Sequence, residues 1–266
     1  MKGFVLSLKS EFYKSRKTLG FWAAILLPFL LLLFTSIGYY SNSEKLINAP
    51  GIVTWTRFAG IPLGVMGNLL LPMFVIFIAY SVNSIEHKAD TWKTLFSLPI
   101  GKWTVYSAKF FYALLLVLLS TMLFAFFTIV FGNLLGLLMP ALKFAGYHME
   151  MALVQIYFKF FLSALGILSI QFLFSLVWSD FLKPMGLGFL LFVTGVVAAA
   201  KDWKYAYTIP YSHPMLAFKS MFPRNTGVRS AEIVVDVFTQ DVFISLAVSA
   251  VVFVAGFYVV QKRSVK

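Results

Sequence analysis

The chain has 266 residues, 60% of them hydrophobic, 18% aromatic and only 12% charged, with a mean hydropathy of +0.86 and a net charge of +12. A soluble domain is about one quarter charged, so the composition excludes a soluble globular protein and a disordered chain. The Lys and Arg residues are scattered between apolar runs, which excludes a nucleic-acid-binding module, and the absence of cysteine removes disulfides, thiolate metal sites and cysteine nucleophiles.

A helix crosses a bilayer with roughly 20 mostly apolar residues. After a tail carrying Lys2, Lys9, Lys14, Arg16 and Lys17, the first such run occupies 20–40 and ends in the bulky Tyr39 and Tyr40. It lacks a small-residue cleavage site, so it reads as a retained span rather than a signal peptide. Further runs follow at 61–83, 110–139, 160–178 and 241–260, and a shorter one at 184–200 borrows Phe181 and Leu182 at its start. Trp22, Tyr39, Tyr80, Trp103, Trp178 and Trp203 stand at the run edges, where aromatic belts belong. Pro28 and Pro72 are expected to kink their helices, and Gly132-x-x-x-Gly136 to allow close helix contact.

Six spans put both termini on one side. With that side cytoplasmic, the inner segments 1–19, 84–109, 179–183 and 261–266 hold five, four, one and three basic residues. The short outer loops 41–60 and 140–159 hold two each, and the forty-residue segment 201–240 holds five. The positive-inside rule therefore favours cytoplasmic termini, with Lys88 and Lys262 inside and Lys45, Lys143 and Arg224 outside.

The chain is poor in reactive groups. No ionisable residue falls in the middle of a run, and Lys159, at the head of the fourth, reads as a lysine snorkelling to the outer interface. His87, His148 and His213 lack a second histidine at ligand spacing, and His148 with Glu150 reads as a solvated loop pair. Gly101-Lys102 lacks the upstream glycine and following hydroxyl of a phosphate loop. No catalytic, cofactor or metal residue is expected, and energy for any uphill movement must come from a partner.

The inner segment from Glu86 to Lys109 begins with a short helix that ends before Pro99. Ala89, Trp92, Leu95 and Phe96 recur at helical spacing as an apolar stripe, with Glu86, Lys88, Asp90 and Lys93 on the remaining faces. Such a stripe suits either the membrane surface or a groove on a soluble partner. Trp92 and Phe96, four apart, would enter one groove together, and Glu86 would pair with a basic group on the partner or on the N-terminal segment.

The order Glu86, Thr91-Trp92-Lys93, Leu95, Leu98-Pro99 and Lys109 resembles the signature of type-2 ABC exporter permeases. The stretch Tyr207-Thr208-Ile209-Pro210-Tyr211-Ser212-His213-Pro214 resembles the outer Y-I-P-W-S-Y-P motif of the lantibiotic-immunity and bacitracin-export branch, with Tyr211 and His213 as departures. The resemblance extends over essentially the whole chain. It implies an all-α integral membrane protein, a single six-span permease domain over 1–266, with an amphipathic interfacial helix at 1–19, a cytoplasmic coupling helix and an outer re-entrant segment before the sixth helix. Phe4, Leu8 and Phe12, at i, i+4 and i+8, agree with the first of these. The apolar set Ile209, Met215, Leu216, Phe218 and Met221 agrees with the last.

The resemblance further implies two copies of a cytoplasmic ABC ATPase that carries the ATP and Mg, a second permease copy or paralogue, and surrounding membrane lipids. Glu86, Trp92, Leu95, Phe96 and Pro99 would couple to the ATPase, and Pro210, Tyr211 and Pro214 would shape the outer segment. The expected function is ATP-driven export of an amphiphile, a peptide antibiotic or a lipid-like compound. A structural or sensory membrane protein, and a membrane enzyme acting on lipids, are the alternatives.

Overall fold

The computed structural model of the chain describes residues 2–47, 49–97, 100–221 and 235–262. Among them are nine principal helices: α1 (Lys2–Ser15), α2 (Leu19–Ser41), α3 (Gly51–Ala89), α4 (Trp92–Ser97), α5 (Lys102–Leu138), α6 (Glu150–Val177), α7 (Leu182–Ala200), α8 (His213–Met221) and α9 (Gln240–Lys262). The described residues contain no strand. Six helices, α2, α3, α5, α6, α7 and α9, are long and apolar enough to cross a membrane, including the short sixth run, which begins at Leu182. The all-helical, six-span fold class is thus the observed one.

Several spans are longer than their apolar runs. α3 has 39 residues, about 58 Å at 1.5 Å per residue, roughly twice the hydrocarbon thickness. The outer loop expected over 41–60 is helical from Gly51 onward. The cause is packing: Trp55 and Phe58 are fully buried, edge-on to the Phe144 ring at 5.0 and 5.8 Å, and the Trp55 indole N–H donates to the Phe144 carbonyl at 2.9 Å. Gly132 and Gly136 of α5 receive this cluster, because a Cβ at either would strike Trp55 or Phe144. The small-residue pair therefore seats aromatic rings.

α6 likewise begins at Glu150, well before the expected start. Lys159 does not snorkel. It is 1% exposed, and its ammonium donates to Ser220 Oγ at 2.7 Å and to the Asp236 carbonyl at 2.8 Å. With its charge satisfied by protein, the helix continues past it. α6 is the central stave, with 78% of its most apolar stretch buried against 17% for α9.

Within α3, Met66–Leu70 forms a widened π turn. Pro72 has no N–H for the carbonyl four residues back, and the extra residue in the turn ahead of it takes up the ring. Between α7 and α9 the chain makes two single turns, Ala206–Thr208 and Pro210–Ser212, and then α8. This outer element packs into the cleft formed by the π turn, α6, α7 and α9. Arg224 lies outside the described residues.

Candidate functional site

The end of the bundle that carries α1 gathers charge. On α1, Phe4, Leu8, Glu11 and Ser15 share one face, and Glu11 and Ser15 are buried at 4% and 2% exposure. Phe12, at the edge of that face against Phe21, and Tyr13, on the opposite side, are exposed. α3 presents Glu86 in its last turns and α5 presents Lys109 in its second, at 2% and 1% exposure.

These residues form a closed lattice. Lys14 Nζ donates to Glu11 Oε1 at 2.6 Å and to Glu86 Oε1 at 2.7 Å. Lys109 Nζ donates to Glu11 Oε2 at 2.8 Å, to Glu86 Oε2, and to the Val82 carbonyl at 3.4 Å. Each carboxylate is thus shared by both ammonium groups and the set is neutral. Burying ions is costly unless each is paired and hydrogen-bonded, and here both conditions are met. Burial disfavours the charge on Lys14, but the Glu11 and Glu86 carboxylates outweigh it and hold the ammonium above its ordinary pKa. A hydrogen bond between Ser15 Oγ and the Tyr112 hydroxyl, and the Phe4–Phe111 contact at 5.8 Å, fix α1 along α5.

The connection between α3 and α5 is fastened to this lattice. α3 ends at Asp90, which takes a left-handed conformation (φ 48°) tolerated by aspartate. The Thr91 amide closes the turn on the Glu86 carbonyl at 3.1 Å. This break separates Ala89 from Trp92, so the apolar stripe expected on one helix is split between α3 and α4. Lys109 Nζ stands 5.6 Å over the Trp92 ring. The Trp92 indole N–H donates to His87 Nδ1 at 3.2 Å, which leaves the other imidazole N–H to donate to the Ser175 carbonyl at 3.0 Å. Asn83 Nδ2 extends the seam to Ser175 Oγ at 2.8 Å and to the Phe172 carbonyl at 3.2 Å. α4 is therefore held at Trp92 by α3 and α5, and α3 in turn is bonded to α6.

Of the residues expected to couple, the structure brings Glu86 and Trp92 to one ammonium, Lys109, and leaves Leu95 half-buried one turn further along α4. Pro99, Leu98 and the side chain of Phe96 lie outside the described residues. Sequence reasoning missed Glu11, Lys14 and Lys109 as lattice members. The available signal was Glu11 itself, the one acid in the basic tail, in helical register with Phe4 and Leu8.

The element between α7 and α9, expected on the outer side, lies at the opposite end of the bundle. Pro210, Tyr211 and Pro214 are packed inward, and the Tyr211 hydroxyl accepts from Gln171 Nε2 of α6 at 2.7 Å. A Cβ on Gly195 of α7 would lie 2.5 Å from the Tyr211 carbonyl carbon, so the absence of a side chain there admits the turn. Gly67, in the π turn, accepts Phe218 in the same manner, at 2.6 Å. His213 is fully buried and bonds through Nε2 to the Tyr207 carbonyl at 2.8 Å; burial pushes its pKa below the usual histidine value. His213 Nδ1, Thr239 Oγ1 and Asp241 Oδ2 are buried without a hydrogen-bond partner among the described residues. His148 and Glu150 stand 3.6 Å apart in exposed positions, and the described residues hold no cluster fit for a metal ion.

The family model described as "ABC-2 family transporter protein" matches residues 7–195. The chain belongs to that family. The match runs from α1 into α7 and takes in the whole charge lattice and α4; the outer element and α9 lie beyond it. No curated protein and no solved structure matches the chain. This ABC-2 permease is a multi-pass membrane protein with a role in transport, and membership implies an ABC ATPase as its partner.

Proposed function

We propose that the permease exports an amphiphilic compound, a peptide antibiotic or a lipid-like molecule, across the cell membrane, driven by two copies of a cytoplasmic ATPase. Both termini, α1 and α4 face the cytoplasm, and a second permease copy or paralogue completes the pathway. The observation that carries the reading is the buried Glu11–Lys14–Glu86–Lys109 lattice with Trp92 against it, since it ties the loop expected to meet the ATPase to α1, α3 and α5 together.

Closure of the ATPase subunits displaces α4. Trp92 bears on Lys109 and His87, so the displacement passes to the ends of α3, α5 and α6 rather than being absorbed by a loose loop. Glu86 is then a positioning residue that keeps α1 and α5 moving with α3. Leu95, Phe96 and Pro99 complete the contact with the ATPase. Pro210, Tyr211 and Pro214 cover the outward opening. An apolar cargo is supported by the groove between α2 and α5, about 250 Å³, lined by Leu33, Ile37, Tyr40, Phe131, Leu134 and Leu138 among others. The branch that handles peptide antibiotics is supported by the likeness of Tyr207–Pro214 to its outer motif.

The test is the complex carrying Trp92→Ala or Phe96→Ala. Substrate-stimulated ATP hydrolysis should fall sharply while the permease still inserts in the membrane. Wild-type ATPase recovery together with wild-type stimulation in both variants overturns the coupling role.

A further inference from the structure

A groove of about 470 Å³ opens at the α1 end of the bundle, between the start of α2, the last turns of α3 and the α6–α7 connection. That volume is in the range of small-ligand sites. Its lining grades from charged to apolar along α3. At one end stands Lys88, which is exposed and has no carboxylate within 4.0 Å among the described residues. Next come Ser84, Ser81 and Tyr80, and deepest is Phe77, with Phe181 closing the side through a 5.1 Å edge contact to Tyr80. The hydroxyls of Tyr80 and Ser81 make no hydrogen bond within the described chain. The lining contains no acid. The acid that acts on Tyr80, Asp180, is held by Lys183 at 3.0 Å, and Glu86 is consumed by the lattice on the other side of α3.

Lys88 and Phe77 are about 16 Å apart along a helix that rises 1.5 Å per residue, which is close to half of a hydrocarbon core about 30 Å thick. That length matches one leaflet, which sets the cation at headgroup depth and the aromatic rings at acyl depth if the groove faces lipid. We infer that it holds one phospholipid of that leaflet with an anionic headgroup, its phosphate on Lys88 and the free hydroxyls and its acyl chain against Phe77 and Phe181. A neutral sugar has no use for this ammonium, and a peptide backbone finds no hydrogen-bond partner on the apolar floor. The groove also borders Thr18, whose side chain accepts the Phe21 amide at the joint between α1 and α2. A lipid seated there braces α1, α3 and the α6–α7 connection against one another. That consequence rests on the coupling reading above; the binding itself does not.

The experiment is native mass spectrometry of the full chain in detergent, titrated with phosphatidylglycerol or with phosphatidylcholine. One phosphatidylglycerol should be retained in preference to phosphatidylcholine, and excess inorganic phosphate should fail to displace it. Lys88→Gln should weaken retention about fivefold, the worth of one lysine near an anionic surface, and Tyr80→Phe should weaken it less. Lys262→Gln, a cation outside the groove, should leave it unchanged. Equal retention of the two lipids, an unaltered Lys88→Gln, or an equal loss in Lys262→Gln overturns the site. Displacement by inorganic phosphate also overturns it, since a free anion would then suffice. The assay contains no ATPase, so its failure and that of the coupling reading are separate results.

Discussion

Removing one member of the charge lattice should cost more the deeper that member lies. Lys109→Met keeps most of the aliphatic stem and deletes the ammonium. The Lys109 side chain is 1% exposed and serves both carboxylates, so its loss leaves Glu11 and Glu86 sharing Lys14 alone. Removing one partner of a buried pair costs about 3–5 kcal/mol, and that is the expected loss in unfolding free energy. Lys14 touches the same two carboxylates but is 30% exposed. Water reaches its side of the lattice, and Lys14→Met should cost about 1–2 kcal/mol, between the values for exposed and buried pairs. Combining Glu86→Gln with Lys109→Met removes one charge of each sign and leaves Glu11 with Lys14, 2.6 Å apart. The double variant should therefore be more stable than the two single losses predict, by about 1 kcal/mol or more. Unfolding of the purified chain in detergent by denaturant, followed by tryptophan fluorescence, measures the wild type and all four variants. Strict additivity in the cycle, or equal losses for Lys14→Met and Lys109→Met, would refute the lattice as the structure draws it.

Single cysteines at positions 88 and 262 should resist an impermeant thiol reagent in intact cells, while those at 45, 143 and 224 should react; strong outside labelling at 88 or 262 defeats the orientation. Acid should loosen the outer element. The unfolded chain takes a proton at the ordinary histidine value, whereas burial makes His213 resist it, outweighing the Tyr207 carbonyl and Asp241, which favour the proton. Stability is therefore full above about pH 6.5 and falls below it, and His213→Gln should remove part of that slope; superimposable pH curves would exclude the contribution. Gly195→Leu should expel the Tyr211 turn, seen as faster proteolysis of the outer segment, because the new side chain meets backbone at 2.5 Å. Replacing Pro210 and Pro214 together by Ala should impair export and spare membrane insertion, and unchanged export would leave the outer element without a role.

The spans were legible because a bilayer imposes a length and an apolarity that no soluble helix needs, so even the weak run at 184–200 marked a helix. Their ends were not, since helix continues wherever protein rather than lipid buries the side chains: Trp55 and Phe58 extend α3, and Tyr157 with Lys159 extends α6. Lys159 illustrates the difficulty. A lone lysine at a run edge ordinarily reaches for water, and its actual partners lie 61 and 77 residues away in sequence. The lattice was hidden for the same reason, because Lys109 and Glu11 are 98 residues apart. Glu86 stood out because it follows an apolar run directly.

α3 is the element that joins the two ends. It carries Glu86 and His87 where α4 is fastened, and Gly67 about 29 Å away at 1.5 Å per residue, where Phe218 of the outer element is seated. Between them its buried residues pack on α6, which itself holds the Tyr211 hydroxyl through Gln171 and the far end of α8 through Lys159. On the coupling reading proposed above, α3 acts as a rod that carries a tilt from the charge lattice at one end to the glycine socket at the other. The π turn is the part of that rod whose hydrogen bonding departs from the α pattern, and it lies directly beneath α8. On the same reading, a tilt imposed at Glu86 meets that turn at the point where α8 is seated, and displacement of the outer element is the expected result.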